Sequence, residues 1–238
     1  MVAPLPTHVP PAAVIPPLRR PYAAVFRALI CAAVITGIVI YLSTGVSPGH
    51  LLSYFTIQSN ILLALACAPS AYRAWTGRPP LPAWATAGAL LFICITGLIY
   101  NLVLTGDPAV QSPTGWSQVA NVLVHMVTPA AALLDWLLLT PPGGLHPRHA
   151  GLWLLYPLAY FAFVLVRGAL LAPGSTARYP YPFLDVELHG YAGVLGNAVI
   201  YGLIFYALAL AIVGLDRIRP YLHGSGNRIS PTAAGPLK

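Results

Sequence analysis

Six apolar runs separated by turn-forming residues constrain this chain more than any other feature. They fall near 22–43, 51–72, 82–105, 116–139, 151–172 and 191–215. Each holds about 22 to 25 residues, enough to cross ~30 Å of hydrocarbon at 1.5 Å per residue of α-helix. The separators are Ser47-Pro48-Gly49, Gly77-Arg78-Pro79-Pro80, Ser112-Pro113-Thr114-Gly115, Pro141-Pro142-Gly143-Gly144 and Pro173-Gly174. Proline and glycine in such groups end helices and start turns. Backbone inside a bilayer must satisfy its own hydrogen bonds, which long apolar helices do. The expectation is an all-α, polytopic integral membrane protein with six transmembrane helices.

Composition agrees. Charged residues make up only 7% of the chain, where a soluble domain carries about 25%. The net charge of +7 does not point to nucleic acid, because the basic residues stand singly or in pairs at the ends of apolar runs. That placement orients helices across a membrane. Arg19, Arg20, Arg27, Arg73, Arg78, Arg148, Arg217, Arg219, Arg228 and Lys238 fall on one side of a six-span topology, against Arg178 and Arg167 on or near the other. The positive-inside rule then predicts that both termini are cytoplasmic. Residues 1–20 read as a disordered Pro-rich tail, 21–216 as the membrane domain and 217–238 as a disordered basic tail. Trp75, Trp84, Trp116, Trp136 and Trp153 lie near span ends, where indole rings favour the interface. Low lysine with high alanine, proline and glycine suggests a GC-rich bacterial source, and so a bacterial plasma membrane.

Polar groups in hydrocarbon are costly, so their positions point to function. They collect at one depth in the outer half: Thr56, Gln58, Ser59 and Asn60 in span two, Tyr100 and Asn101 in span three, Asn121 and His125 in span four. Arg167 of span five and Asn197 and Tyr201 of span six join them. The layer lies roughly 5–15 Å below the outer surface. The inner half is nearly bare apart from Asp135. Ser117, Asn121, His125, Thr128 and Asp135 recur at steps of three, four or seven, one stripe on a helix. A polar cavity between helices is expected.

Each candidate has two readings. His125 is either a general base or a neutral ring that fixes helix packing. Thr56 is a nucleophile if His125 takes its proton, or else a hydroxyl bonded to its own helix. Asn60, Asn121, Asn197, Gln58 and Tyr201 are candidates to bind substrate or an oxyanion, or they bond helix to helix. Asp185, Glu187 and His189 lack a matching ligand pair for a metal. Cys31, Cys67 and Cys94 have no metal-like spacing and read as small buried hydrophobes. No cofactor or metal is implied.

Tyr54-Phe55-Thr56, Asn121-x-x-x-His125 with Pro129 after it, and Tyr181-Pro182-Phe183-Leu184-Asp185 resemble the androgen-induced membrane protein family, with this chain in a bacterial branch. The resemblance covers about 22–215 and is most specific at the Tyr-Pro-Phe-Leu-acid patch. It implies an intramembrane threonine hydrolase that cleaves fatty acid esters of hydroxy fatty acids, with the Thr/His pair at Thr56 and His125. Gln58-Ser59-Asn60 is more polar than the eukaryotic pattern. On this reading a lipid substrate enters laterally from the membrane. The alternatives are a small proton-coupled transporter or channel, with His125 and Asp135 on one relay, and a non-catalytic scaffold.

Overall fold

The computed structural model describes residues 19–107, 110, 113–175 and 178–220. The tails expected at 1–20 and 217–238 lie outside them but for a few residues. Among the described residues the chain is all-helical, with no strands. Six long helices account for nearly all of it: α1 Pro21–Ser43, α2 Phe55–Thr76, α3 Ala83–Leu104, α4 Gly115–Leu139, α5 Pro147–Leu170 and α6 Val186–Ile218. A single turn at Pro48–Leu51 precedes α2, and a 3-10 turn at Pro182–Leu184 precedes α6. Helices α1, α3, α4, α5 and α6 are long and apolar enough to cross a membrane. Helix α2 is also 22 residues long, but Thr56, Gln58, Ser59, Asn60 and Arg73 dilute its apolar character.

The bundle keeps its apolar residues on the outside as well as the inside. Leu29, Leu65, Leu102, Leu170, Val199 and Ile218 are exposed, the pattern of a multi-pass membrane protein whose surface meets lipid tails. The core between the helices is filled by Ile30, Val34, Leu63, Leu91, Ile93, Val164, Val194 and Ile212. Glycine sets the closest approach of α1 to α4. A Cβ at Gly37 would sit 2.8 Å from the Val124 side chain.

Helix ends follow the turn chemistry, with one shift that matters. The second span was expected from 51, but Ser47 caps the Pro48–Leu51 turn by accepting the His50 N–H. The chain then extends at Tyr54, and α2 starts at Phe55. Thr56 is therefore on the first turn of α2. At the far end Gly77, with φ 75°, closes α2 in the left-handed conformation that glycine adopts without strain. Gly190, with φ 63°, bends the start of α6.

Helices α3 and α4 are interrupted by five-residue π-helical segments, at Tyr100–Leu104, Leu123–Val127 and Asp135–Leu139. Such bulges re-aim side chains relative to a regular helix and favour functional sites. His125 and Asp135 each sit in one.

The end of the bundle that holds the start of α1 and the end of α6 is more polar than the sequence implied. Arg27 donates from Nε to both Asp135 oxygens, at 2.9 and 3.1 Å, and from a terminal nitrogen to Thr140. Asp216 and Arg219, 2% and 9% exposed, form a second buried pair at 2.9 Å. Asp216 accepts the Gly143 and Leu145 N–H groups at 2.9 and 3.1 Å. Arg219 donates to the carbonyls of Trp136, Thr140 and Pro141 and stacks on the Trp136 ring at 4.2 Å. This clamp ties the α4–α5 loop to the end of α6. Ordered chain therefore continues past 216, because buried carbonyls at the end of α4 need the Arg219 donors. Two of the tryptophans are packed inside the bundle rather than on its surface. Trp136 and Trp153 are 4% and 5% exposed, and Trp153 donates to the Trp84 carbonyl at 2.9 Å. Cys67 is buried, Cys31 and Cys94 are half-buried, and none of them is in a disulfide.

Candidate functional site

Four elements converge on Thr56: the first turn of α2, the π-helical segment of α4, the end of α3 and the segment leading into α6. The Thr56 N–H is one of the donors that a helix start leaves without an intrahelical partner. Here it donates to the Tyr181 hydroxyl at 3.2 Å. The Thr56 hydroxyl does not bond a carbonyl of its own helix. It lies 3.1 Å from His125 Nε2 and 3.3 Å from the Tyr181 hydroxyl, and the residue is only 5% exposed.

His125 is held in the tautomer that suits this contact. Its Nδ1 lies 3.1 Å from the Asn121 carbonyl oxygen. A carbonyl can only accept, so Nδ1 carries the hydrogen and Nε2 presents its lone pair to the Thr56 O–H. Tyr100 stacks on the imidazole, with ring centres 4.1 Å apart and planes at 25°. Three constraints thus fix the ring: a carbonyl behind it, a phenol on its face and the threonine in front.

Tyr181 is the residue that sequence reasoning did not single out as a site member. It is 7% exposed and is wedged among Tyr54, Tyr160 and Phe183, at ring distances of 5.7, 6.4 and 5.3 Å. Its oxygen takes the Thr56 N–H, and because the Thr56 O–H faces His125 Nε2, the Tyr181 O–H is the donor to Thr56 Oγ1. The Tyr-Pro-Phe-Leu patch carried the signal: Pro182 starts the turn that aims Tyr181 inward.

The candidate amides make bonds between neighbouring elements, one of their two readings. Asn60, fully buried, donates to the Thr56 and Val124 carbonyls at 2.8 and 3.0 Å and accepts the Thr128 hydroxyl at 2.7 Å. Asn121 donates to the Tyr100 hydroxyl and accepts from Tyr41 at 3.5 Å. Asn197 donates to the Phe183 carbonyl at 2.9 Å. Gln58 donates to the Leu52 carbonyl at 2.8 Å and accepts from Tyr156 at 3.0 Å. These bonds lock α2 to α4, the pre-α6 turn to α6, and α2 to α5. Asn60, bonded to the Thr56 carbonyl and to Val124 and Thr128, ties the first turn of α2 to the π-helical segment that carries His125. Tyr201 stands apart from the pair and packs on Phe183 at 4.8 Å. Ser59 bonds Thr96 at 2.7 Å, and Asn101 is exposed, bonded to its own helix at Gly97.

No family model, curated protein or solved structure matches this chain.

A cavity of about 590 Å³ opens beside Thr56, within the ~300–1,000 Å³ range of ligand sites. Thr56, Thr96 and Tyr181 are among its few polar lining residues, and its wall is almost wholly apolar. His125 and Asp135, one stripe in sequence, belong to separate networks. Between their levels lie Leu63, Cys67, Leu91 and Ala132, all buried, with no polar bridge across them among the described residues. Among the described residues there is no group of three or more metal-ligating side chains.

Proposed function

We propose that this protein is an intramembrane hydrolase of lipid acyl esters, a six-span protein with both termini in the cytoplasm, related to the androgen-induced membrane proteins. The observation that carries the reading is the 3.1 Å contact of Thr56 Oγ1 with His125 Nε2, in the one tautomer able to take a proton. A hydroxyl is a weak nucleophile unless a positioned base removes its proton. Packing alone does not require the Asn121 carbonyl, the Tyr100 ring and Thr56 to surround that imidazole together.

The chemistry runs in two halves. Thr56 Oγ1 attacks the acyl carbonyl while its proton passes to His125 Nε2. The carbonyl oxygen becomes an oxyanion, which the Tyr181 O–H stabilises and which the positive end of α2 favours. The intermediate collapses, the ester C–O bond breaks, and the His125 proton passes to the leaving alcohol. Water, losing its proton to His125, then attacks the acyl-threonine; the acyl–Oγ1 bond breaks, His125 returns the proton to Thr56 Oγ1, and a fatty acid leaves. The protein groups used are Thr56, His125 and Tyr181, and water is the only co-reactant. The apolar cavity and the lipid-facing surface support a substrate of membrane lipid, of the fatty acid ester of hydroxy fatty acid type that the resemblance implies.

The test is turnover of a long-chain acyl ester by purified protein in nanodiscs. Thr56→Ala abolishes turnover, and His125→Ala lowers it by roughly 10²–10⁴-fold, the usual contribution of a general base. Full turnover in Thr56→Ala overturns the reading. Solute flux in proteoliposomes that needs His125, without ester cleavage, replaces it with transport.

A further inference from the structure

We infer that the cavity beside Thr56 is a measured slot for one unbranched acyl chain, which enters sideways from the lipid and ends near the start of α5. The Thr56 end rests on the hydrolase reading above; the binding of a chain does not.

The geometry sets direction and length. Tyr160 packs edge-on against Phe55 with ring centres 5.2 Å apart, which fixes the level of Thr56 on α5. The wall continues from Tyr160 to Gly151 along α5 and from Tyr201 to Tyr206 along α6. Both run away from Thr56 toward the end of the bundle that holds the chain termini. Nine residues of helix from Tyr160 to Gly151 span about 14 Å. An extended chain advances about 1.3 Å per carbon with C–C bonds of ~1.5 Å, so the slot takes about ten carbons beyond the reacting carbonyl.

The wall chemistry selects the occupant. Below Thr56 it is built from side chains such as Leu154, Leu158, Phe205 and Ile95, with no charge to hold a headgroup. A polar substrate would leave its hydrogen bonds unmade there. The entrance lies on the lipid-facing side: Leu155, Leu158, Val199 and Leu203 line the cavity and are 61–65% exposed. A lipid tail passes such a rim without meeting water.

Two wall positions govern length in opposite senses. Gly202 borders the slot one residue beyond Tyr201, near the Thr56 end, and a Cβ added there meets no atom within 4 Å. Gly202→Phe obstructs the slot high up. Leu154 lines the slot at its end toward the start of α5, and Leu154→Ala enlarges it there.

The experiment has two arms. In the first, full-length Thr56→Ala protein in nanodiscs is photolysed with decanoic acid carrying a diazirine at its last carbons, and adducts are mapped by peptide mass spectrometry. Adducts concentrate on Gly151–Leu155 and Leu203–Tyr206 and are lost in Thr56→Ala/Gly202→Phe. Adducts spread evenly over the lipid-facing helices, or unchanged by Gly202→Phe, overturn the slot. In the second, active protein is assayed on p-nitrophenyl esters from butyrate to palmitate. Activity peaks near decanoate. The decanoate-to-butyrate ratio falls in Gly202→Phe by roughly tenfold for each pair of methylenes displaced, and the optimum lengthens in Leu154→Ala. Adducts in the slot without hydrolysis of any ester retain the slot and sink the hydrolase reading. Hydrolysis with a flat length profile that neither substitution moves does the reverse.

Discussion

Removing one oxygen, by Tyr181→Phe, separates the role of Tyr181 in reactivity from its role in packing. The ring stays caged among Tyr54, Tyr160 and Phe183, so the substitution leaves shape intact. It deletes the acceptor of the Thr56 N–H at 3.2 Å and the hydroxyl 3.3 Å from Thr56 Oγ1. A buried N–H left without a partner costs about 1–3 kcal/mol of stability. That loss is smaller than the ~5–15 kcal/mol that holds a fold together, so the protein remains folded with a lowered Tm. The loss in rate is larger if the hydroxyl meets the oxyanion, about 10²–10³-fold in kcat, as for removal of a single oxyanion donor. The two effects are read separately, by thermal unfolding in detergent and by ester turnover normalised to folded protein. The expected outcome is a small drop in Tm with a loss of at least about 10² in kcat and little change in KM. Turnover within twofold of wild type, with the same drop in Tm, would refute the reasoning and reduce Tyr181 to a structural cap on α2.

Other predictions rest on the frame of the bundle. Asp216→Ala strands the Arg219 guanidinium, which is 9% exposed, and lowers stability by about 3–5 kcal/mol; thermal unfolding in detergent measures the loss, and an unchanged Tm contradicts the clamp. Gly37→Leu forces side-chain atoms against Val124, since even a Cβ would sit 2.8 Å away. It costs about 1–3 kcal/mol or separates α1 from α4, read by unfolding and by cysteine crosslinking between the two helices.

Much of this arrangement was legible in the residues, because a bilayer demands long apolar helices and punishes polar groups. The helices α1, α3, α4 and α6 start or end close to their turn signals, and Thr56 and His125 stood out as members of one polar layer. Two physical features were not legible. The α2 start moved to Phe55 because Ser47 closes its own turn first. The turn residues gave no sign that Tyr54 would be extended. The π-helical segment that carries His125 changes which way the imidazole points without changing the spacing that a regular helix predicts. The asparagines had two readings, substrate donor or helix-to-helix bond, and depth alone does not choose between them; in the fold Asn60 and Asn197 spend amide hydrogens on the Val124 and Phe183 carbonyls. Tyr181 sits ahead of α6 rather than in a span, so a search for polar residues in hydrocarbon passed over it. The clamp at Asp216 and Arg219 lies at a helix end, where charge is ordinary and its burial is invisible until the α4–α5 loop folds over it.

The central claim is that Thr56 is an activated nucleophile, and covalent capture tests it most directly. Wild-type protein, Thr56→Ala and His125→Ala are treated with a fluorophosphonate probe in mild detergent, and the labelled peptide is sequenced by mass spectrometry. The account predicts a phosphonate adduct on Thr56, absent from Thr56→Ala and strongly reduced in His125→Ala, with all three proteins equally folded. An adduct on another residue, or labelling undiminished in Thr56→Ala, would contradict it.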